Sequence, residues 1–432
     1  MTAGGFSSAR PKDRLLIRGA RQIVTLQGPA RMRQGFELRE AGVLRDASIL
    51  VEGGLITQVG NARRLDNLKE AAKARVMDAR NLVIVPGFLD AAQDLLPLAV
   101  SGDNGGGVPG EREGPPGEPF EEPADYSDHT LNTVARALER ELGKLSRLGT
   151  AFAQFRLRFP KQPVLQSRIL RNLLQLDLPG GSFRAELHFP RLPDFGADDG
   201  ALFRQRLPAA AKGYWKRLET SLAVSVRSAA LRDFHAPERL HALRRVHGGL
   251  PCFLTSPETL DAEALLSAGS GSASTVIGLP PERGEVREAA AQLDVPWIVP
   301  GGELGLAGGW QGQALRGTLD CGMRVALSSG YDVNRPGCAS PFVLAPILRR
   351  EAGLEPAEIL QLSIANLAYA LDLGHRLGSI QAGNDASFSI LECEDYREIG
   401  RHLGLPPVLA SFRRGVPMEK RLRVREEAGG DW

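Results

Sequence analysis

Cysteine is scarce in this chain: Cys252, Cys321, Cys338 and Cys393 are the four among 432 residues, and no C-x-x-C pair occurs. Their wide spacing excludes a zinc-cluster module and offers no disulfide frame, so they read as reduced core or loop thiols in a reducing compartment. Long apolar runs are missing as well. No window reaches the length needed to span a bilayer, and the opening MTAGGFSSARPKDR lacks the apolar centre of a signal peptide. The expectation is a cytoplasmic protein with no membrane partner. Nor is there an excess of one charge: 53 lysines and arginines against 51 aspartates and glutamates leave a net +2, which gives no global field to recruit nucleic acid. Two catalytic signatures are absent too. GGELGLAGGWQGQ from Gly301 lacks the lysine of a phosphate loop, and no G-x-S-x-G elbow marks a serine nucleophile.

What the chain does have is alternation. LLIRGARQIVT (15–25) reads as a strand with a glycine break, and ASILVEGGLITQVG (47–60) as a hairpin about Gly53-Gly54. A helical stretch is expected near 69–79, followed by LVIVPGF, which is apolar on both faces as a buried parallel strand is. Residues 101–125 are so rich in Gly, Pro and charge that they predict a long mobile loop. Beyond them a helix-period segment repeatedly precedes a short apolar strand: TAFAQFRL, FRAELHF, SLAVSVRS, LPCFLTS, STVIGLP, VPWIVP and MRVALSS each follow one. Together with the strand before Pro86 these predict an α/β fold, a closed (β/α)8 TIM barrel whose working end is the strands' C-terminal edge. An open doubly wound sheet uses the same alternation but would carry a Gly-rich turn after an early strand. After SIANLAYALDL come RLGSIQAGNDASFSIL and VLASFRRGVPM, again strands with glycine turns. Residues 1–84 and 376–432 are therefore expected to build one composite β-sandwich from both chain ends, beside a barrel of 85–375.

Taken together, VPGFLDA, MRVALSSGYDVNRPGCASP and SIANLAYALDLGHRLGSIQAGNDASFSIL resemble the metal-dependent amidohydrolase superfamily, most closely its imidazolonepropionase branch. The framing motifs are Pro86-Gly87-Phe88 and Gly378-Ser379 through Asp385-Ala386. The resemblance implies a barrel with a composite sandwich, often as a homodimer, and one divalent metal, zinc or iron, that lowers the pKa of bound water. It also implies ligands at strand tips: His-x-His on the first strand, histidines on the middle strands and an aspartate on the last. Here those positions are occupied by Ala92 and Asp94, by Thr255 between Leu254 and Ser256, and by Gly330 in Ser328-Ser329-Gly330, with Asp332 two residues later. Strand alternation would turn Ala92 and Asp94 inward.

Of the seven histidines, His129, His235, His241, His247, His375 and His402 fall away from predicted strand ends, leaving His188 in AELHF. The preferred reading is a catalytically degenerate amidohydrolase-like protein with no cofactor, serving as a binding or scaffolding subunit in a homodimer or beside an active relative. Under it Asp94 and Asp332 are solvated loop carboxylates or pair with arginines such as Arg335, and His188 is a hydrogen-bonded wall residue. The competing reading is an active hydrolase of C–N bonds in cyclic amides, with a site rebuilt from Asp94, Glu186, His188 and Asp332, in which Asp332 and His188 are catalytic and a divalent ion is held through oxygen. A third is a sensor whose barrel mouth encloses a small molecule.

Overall fold

The described strands form two sheets. The computed structural model describes residues 14–95, 138, 140–158, 182–189, 222–227, 252–256, 275–302, 304, 311–333, 337–404 and 407–418. The expected loop at 101–125 lies outside them, as do the helices expected between the early parallel strands. In chain order the strands are β1 (Arg14–Val24), β2 (Val43–Glu52), β3 (Leu55–Asn61), β4 (Arg75–Asp78), β5 (Val83–Pro86), β6 (Phe88–Gln93), β7 (Thr150–Arg158), β8 (Ser182–Phe189), β9 (Leu222–Arg227), β10 (Cys252–Ser256), β11 (Thr275–Gly278), β12 (Trp297–Pro300), β13 (Val325–Ser328), β14 (Phe388–Leu391), β15 (Val408–Arg413) and β16 (Val416–Pro417).

One sheet runs β16-β15-β14-β5-β1-β2-β3, with β4 beside β1, and so draws strands from both ends of the chain. Its hairpin β2–β3 turns at Gly53-Gly54, both at positive φ, and Gly19 (φ 67°) marks the register break in β1. Ile17, Ile23, Ile49, Ile84, Phe388 and Phe412 fill one core, the two rings stacked with centroids 5.0 Å apart. Two expectations are corrected here. The stretch near 69–79 is not a helix but a 3-10 turn, Ala71–Lys73, followed by β4, because Val76 and Met77 pair in parallel with Leu16 and Ile17 of β1. Long-range pairing overrides local preference. The strand before Pro86 is also not the first strand of the all-parallel sheet, since β5 is hydrogen-bonded to β1 and β14 in this one.

The all-parallel sheet begins with β6, and the crossing happens at Gly87. Its N–H donates to Ser387 O (3.0 Å) in one sheet, while the next N–H, of Phe88, donates to Gly149 O (3.1 Å) in the other. A Cβ on Gly87 would meet the Ala151 Cβ at 2.6 Å, so the side chain must be hydrogen. From there β6 to β13 lie in consecutive order, with parallel pairing at every step. Trp297, Val299, Val325, Leu327 and Phe155 are buried in the larger core, and Trp297 Nε1 donates to Gly278 O at 3.0 Å.

This sheet curls. At its N-terminal end, Arg184 on β8 donates to Leu371 O (2.7 Å) and Thr275 on β11 donates to Ala370 O (3.1 Å). In a flat sheet strands three apart are separated by roughly 14 Å, too far for two consecutive carbonyls to serve both. These carbonyls end a helical run of Pro356–Leu360, a π-helical Gln361–Asn366 and Leu367–Ala370, in which Asn366 Nδ2 also donates to Val325 O of β13 (2.8 Å). One segment thus seals the end opposite the strand tips. Among the described residues no helix is long and apolar enough to cross a membrane.

A polar tie joins β1 to the C-terminal segment. Asp395 accepts from Arg397 Nε and Nη2 (2.8 Å each) and from Gln22 Nε2 (2.9 Å), while Tyr396 N–H donates to Gln22 Oε1 (3.0 Å). The Arg397 guanidinium holds the Asp395 carboxyl well below the usual carboxylate range. A carboxyl depressed in the folded state stabilises at neutral pH, and that contribution is lost as pH falls through the acid range. Asp395→Asn is expected to lower the urea-unfolding free energy by about 1 kcal/mol at pH 7. The gap to the wild type should shrink between about pH 4 and 2, as urea titrations at each pH will show.

Candidate functional site

The site is built where β6 and β13 run past their last regular pairs. In an unbroken strand Asp90, Ala92 and Asp94 would share a face. Ala92 instead takes a left-handed conformation (φ 56°), and three steps on β6, from Asp90 to Gln93, oppose two on β7, from Ala153 to Phe155. That is a bulge. It corrects the alternation expected from the sequence: Gln93, not Ala92, lies alongside Asp90, and its Nε2 donates to Asp90 Oδ2 at 2.7 Å.

Asp90 is the centre of the arrangement. It has 0% exposure, and its Oδ1 accepts from the N–H groups of Ala91 (3.0 Å) and Ser329 (2.7 Å). Its second oxygen takes the Ser329 hydroxyl at 2.5 Å as well as Gln93. Burial pushes the carboxyl up to about 7 against the pull of these donors. Such a group would be poised for proton transfer near neutrality. Enclosed on every side, it offers no surface to a substrate.

Ser329 Oγ also accepts from Tyr331 N–H (3.1 Å), and Tyr331 Oη donates to Glu141 Oε2 (3.2 Å), which Lys144 and Arg140 hold through Oε1 at 2.9 and 3.0 Å. Burial and the Glu141 charge push the Tyr331 hydroxyl up to about 12, so it remains a donor. Cys338 is half-buried with Sγ 3.2 Å from Ser340 O, and burial pushes its thiol up to about 11. It is a protonated thiol, not a nucleophile. Cys321, Cys338 and Cys393 are free thiols.

The residues singled out in the sequence fall in three places. Asp94 and Asp332 come together as a parallel bridge, with Asp94 N–H donating to Tyr331 O (2.8 Å) and Val333 N–H to Asp94 O (3.0 Å). Glu186 lies in a buried polar row of β7 and β8, where Gln154 faces Arg184 and Arg156 faces Glu186. Its Oε2 accepts from Gln154 Nε2 (2.9 Å), and its Oε1 is 3.8 Å from Arg156 Nε. Along the same backbone ladder His188 is paired with Arg158, and Thr255 of β10 is paired with Arg227 and Ile277. The side chains of His188 and Thr255, and the whole of Arg335, lie outside the described residues. Among the described residues no group of three or more His, Cys, Asp and Glu could hold a metal ion.

The donor set can be tested against a zinc or iron ion bound as the resemblance implies. Ala92 has no ligating atom. Gly330 takes φ 65°, and a Cβ there would lie 2.5 Å from the Pro300 Cβ, so an aspartate does not fit that position without moving β12. These positions do not suit such an ion. Asp90, Gln93, Ser329, Tyr331 and Glu141 were missed by sequence reasoning. Asp90 stood in plain view in Pro-Gly-Phe-x-Asp, but the bulge that gives it Gln93 has no sequence signal.

No family model matches the chain. It is 27% identical over 447 residues to an imidazolonepropionase of Solibacter usitatus, covering 93% of this chain and 97% of that protein. It is 28% identical over 430 residues to an imidazolonepropionase of Chloroflexus aggregans, with the same coverage. The solved structure of E. coli guanine deaminase superposes with a TM-score of 0.67 at 13% identity, covering 95% of this chain and all of the other, which speaks to the fold alone.

The steric reading of Gly330 can be checked. Gly330→Asp is expected to destabilise by roughly 2 kcal/mol or more. Gly404→Asp, also at positive φ (79°) but with nothing within 4 Å of its Cβ, should suffer the backbone strain alone. Thermal unfolding decides it, and equal melting temperatures for the two variants would contradict the Pro300 clash.

Proposed function

We propose that this chain, imidazolonepropionase-like and within the amidohydrolase superfamily, is a catalytically degenerate member that keeps the (β/α)8 barrel and composite β-sandwich for binding or scaffolding. The observation that carries the reading is the pair of positions at which the resemblance places metal ligands: Ala92 offers no donor, and Gly330 is held to hydrogen by Pro300. Hydrolysis of a cyclic amide by this class needs water deprotonated near neutral pH. Among the described residues, the carboxyl that burial pushes up to about 7 is Asp90, whose oxygens are taken up by Ser329, Ala91 and Gln93.

Such a barrel survives the loss of its chemistry because packed side-chain layers stabilise it while strand tips and loops supply the reaction. A cytoplasmic homodimer, or a heteromer with an active relative, suits a scaffolding role. A small-molecule ligand at the strand tips suits a sensing one.

One observation favours the second reading, an active hydrolase of non-peptide C–N bonds: Asp94 and Asp332 are brought side by side. That site would add Glu186 and His188 to the two aspartates. Elemental analysis of protein purified without chelator, with an imidazolonepropionate hydrolysis assay on the same sample, separates the two. Degeneracy predicts metal far below one equivalent per chain and no turnover above buffer. A stoichiometric metal with turnover that a chelator abolishes would overturn it.

A further inference from the structure

Under the resemblance, a bound metal takes ligands from the first and last barrel strands and so ties their tips together. Here β6 and β13 are the first and last of the parallel sheet, and the pairing recorded between their extensions is a single bridge, Asp94 with Asp332. Two backbone bonds flank it, Asp94 N–H to Tyr331 O and Val333 N–H to Asp94 O. Four residues before the bridge on the β6 side, and three on the β13 side, Asp90 grips Ser329 through both its backbone N–H (2.7 Å) and its hydroxyl (2.5 Å).

We propose that the Asp90 carboxyl and Ser329 form a clasp that joins β6 to β13 and positions the loop carrying Asp332. Both side chains are fully buried, so water does not compete for these bonds. The grip is bidentate, one donor to each carboxylate oxygen, which fixes register as well as distance. Gln93 and the Ala91 N–H hold the carboxylate from its own strand, so it cannot rotate away from Ser329. Ser329 Oγ in turn accepts the Tyr331 N–H, and Tyr331 reaches Glu141 on the helix at 140–147. The clasp therefore positions the loop that carries Asp332.

Amide hydrogen exchange on the full-length chain tests this, with the wild type, Asp90→Asn and Ser329→Ala each measured with chelator and with added zinc. Both variants should speed exchange at the Asp94 and Val333 amides by about tenfold or more, leaving the β1–β2 ladder unchanged, with or without zinc. If Asp90→Asn does not fold, Ser329→Ala decides, since it keeps the backbone donor. Unchanged exchange at those amides in the folded variants would overturn the clasp. Stoichiometric zinc that slows exchange at the same amides in the wild type would instead sink the degenerate reading, a result recognisable whatever the variants do.

Discussion

A carboxylate taken fully out of water is costly unless hydrogen bonds replace its hydration, and at Asp90 donors from both sides offset part of that cost. Ala91 and Gln93 donate from its own strand, and Ser329 donates twice from just past the end of β13. The bulge at Ala92 follows from this, because Gln93 reaches Asp90 only if the strand gains a residue there. So does the course of the chain after β13, where Ser329 must face Asp90 before Tyr331 and Asp332 meet Asp94.

The two ends of the parallel sheet are closed by different means. At the N-terminal end, the carbonyls of Ala370 and Leu371 serve side chains of β11 and β8, and Asn366 binds β13. At the other end the clasp does the joining. Between them lie buried Gln154, Arg184 and Glu186 with half-buried Arg156, and there Glu186 accepts from Gln154 and stands 3.8 Å from Arg156 Nε. Polar groups thus occupy strand positions where a simple apolar core would have none, and each such group limits which side chains its neighbours can be.

Much of the architecture was legible in the sequence because helix-period and strand-period segments alternate cleanly from residue 150 onward, and β7 to β13 fall on the segments so identified. The start was not. LVIVPGF reads as one buried strand, and nothing in its apolar pattern says that the chain changes sheets at Gly87, a fact that resides in where two successive N–H groups point. Residues 69–79 carry helix-forming residues, yet Arg75–Asp78 pair as a strand, since β1 offers an open neighbour. The site was half legible. Missing ligands could be counted from residue types at Ala92 and Gly330, whereas the meaning of Gly330 depends on Pro300 from another strand. The role of Asp90 depends on a backbone angle at Ala92 that alanine does not announce.

The central claim is that the tips of β6 and β13 are joined by the hydrogen bonds that Ser329 donates to Asp90, with no ion held between them. Crystals grown with excess zinc and measured at the zinc absorption edge test it most directly. The expected map has no anomalous peak between Asp90, Asp94 and Gly330, and continuous density from the Asp90 carboxylate to Ser329. An anomalous peak in that mouth, held by three or more side chains with Asp90 turned away from Ser329, would contradict it.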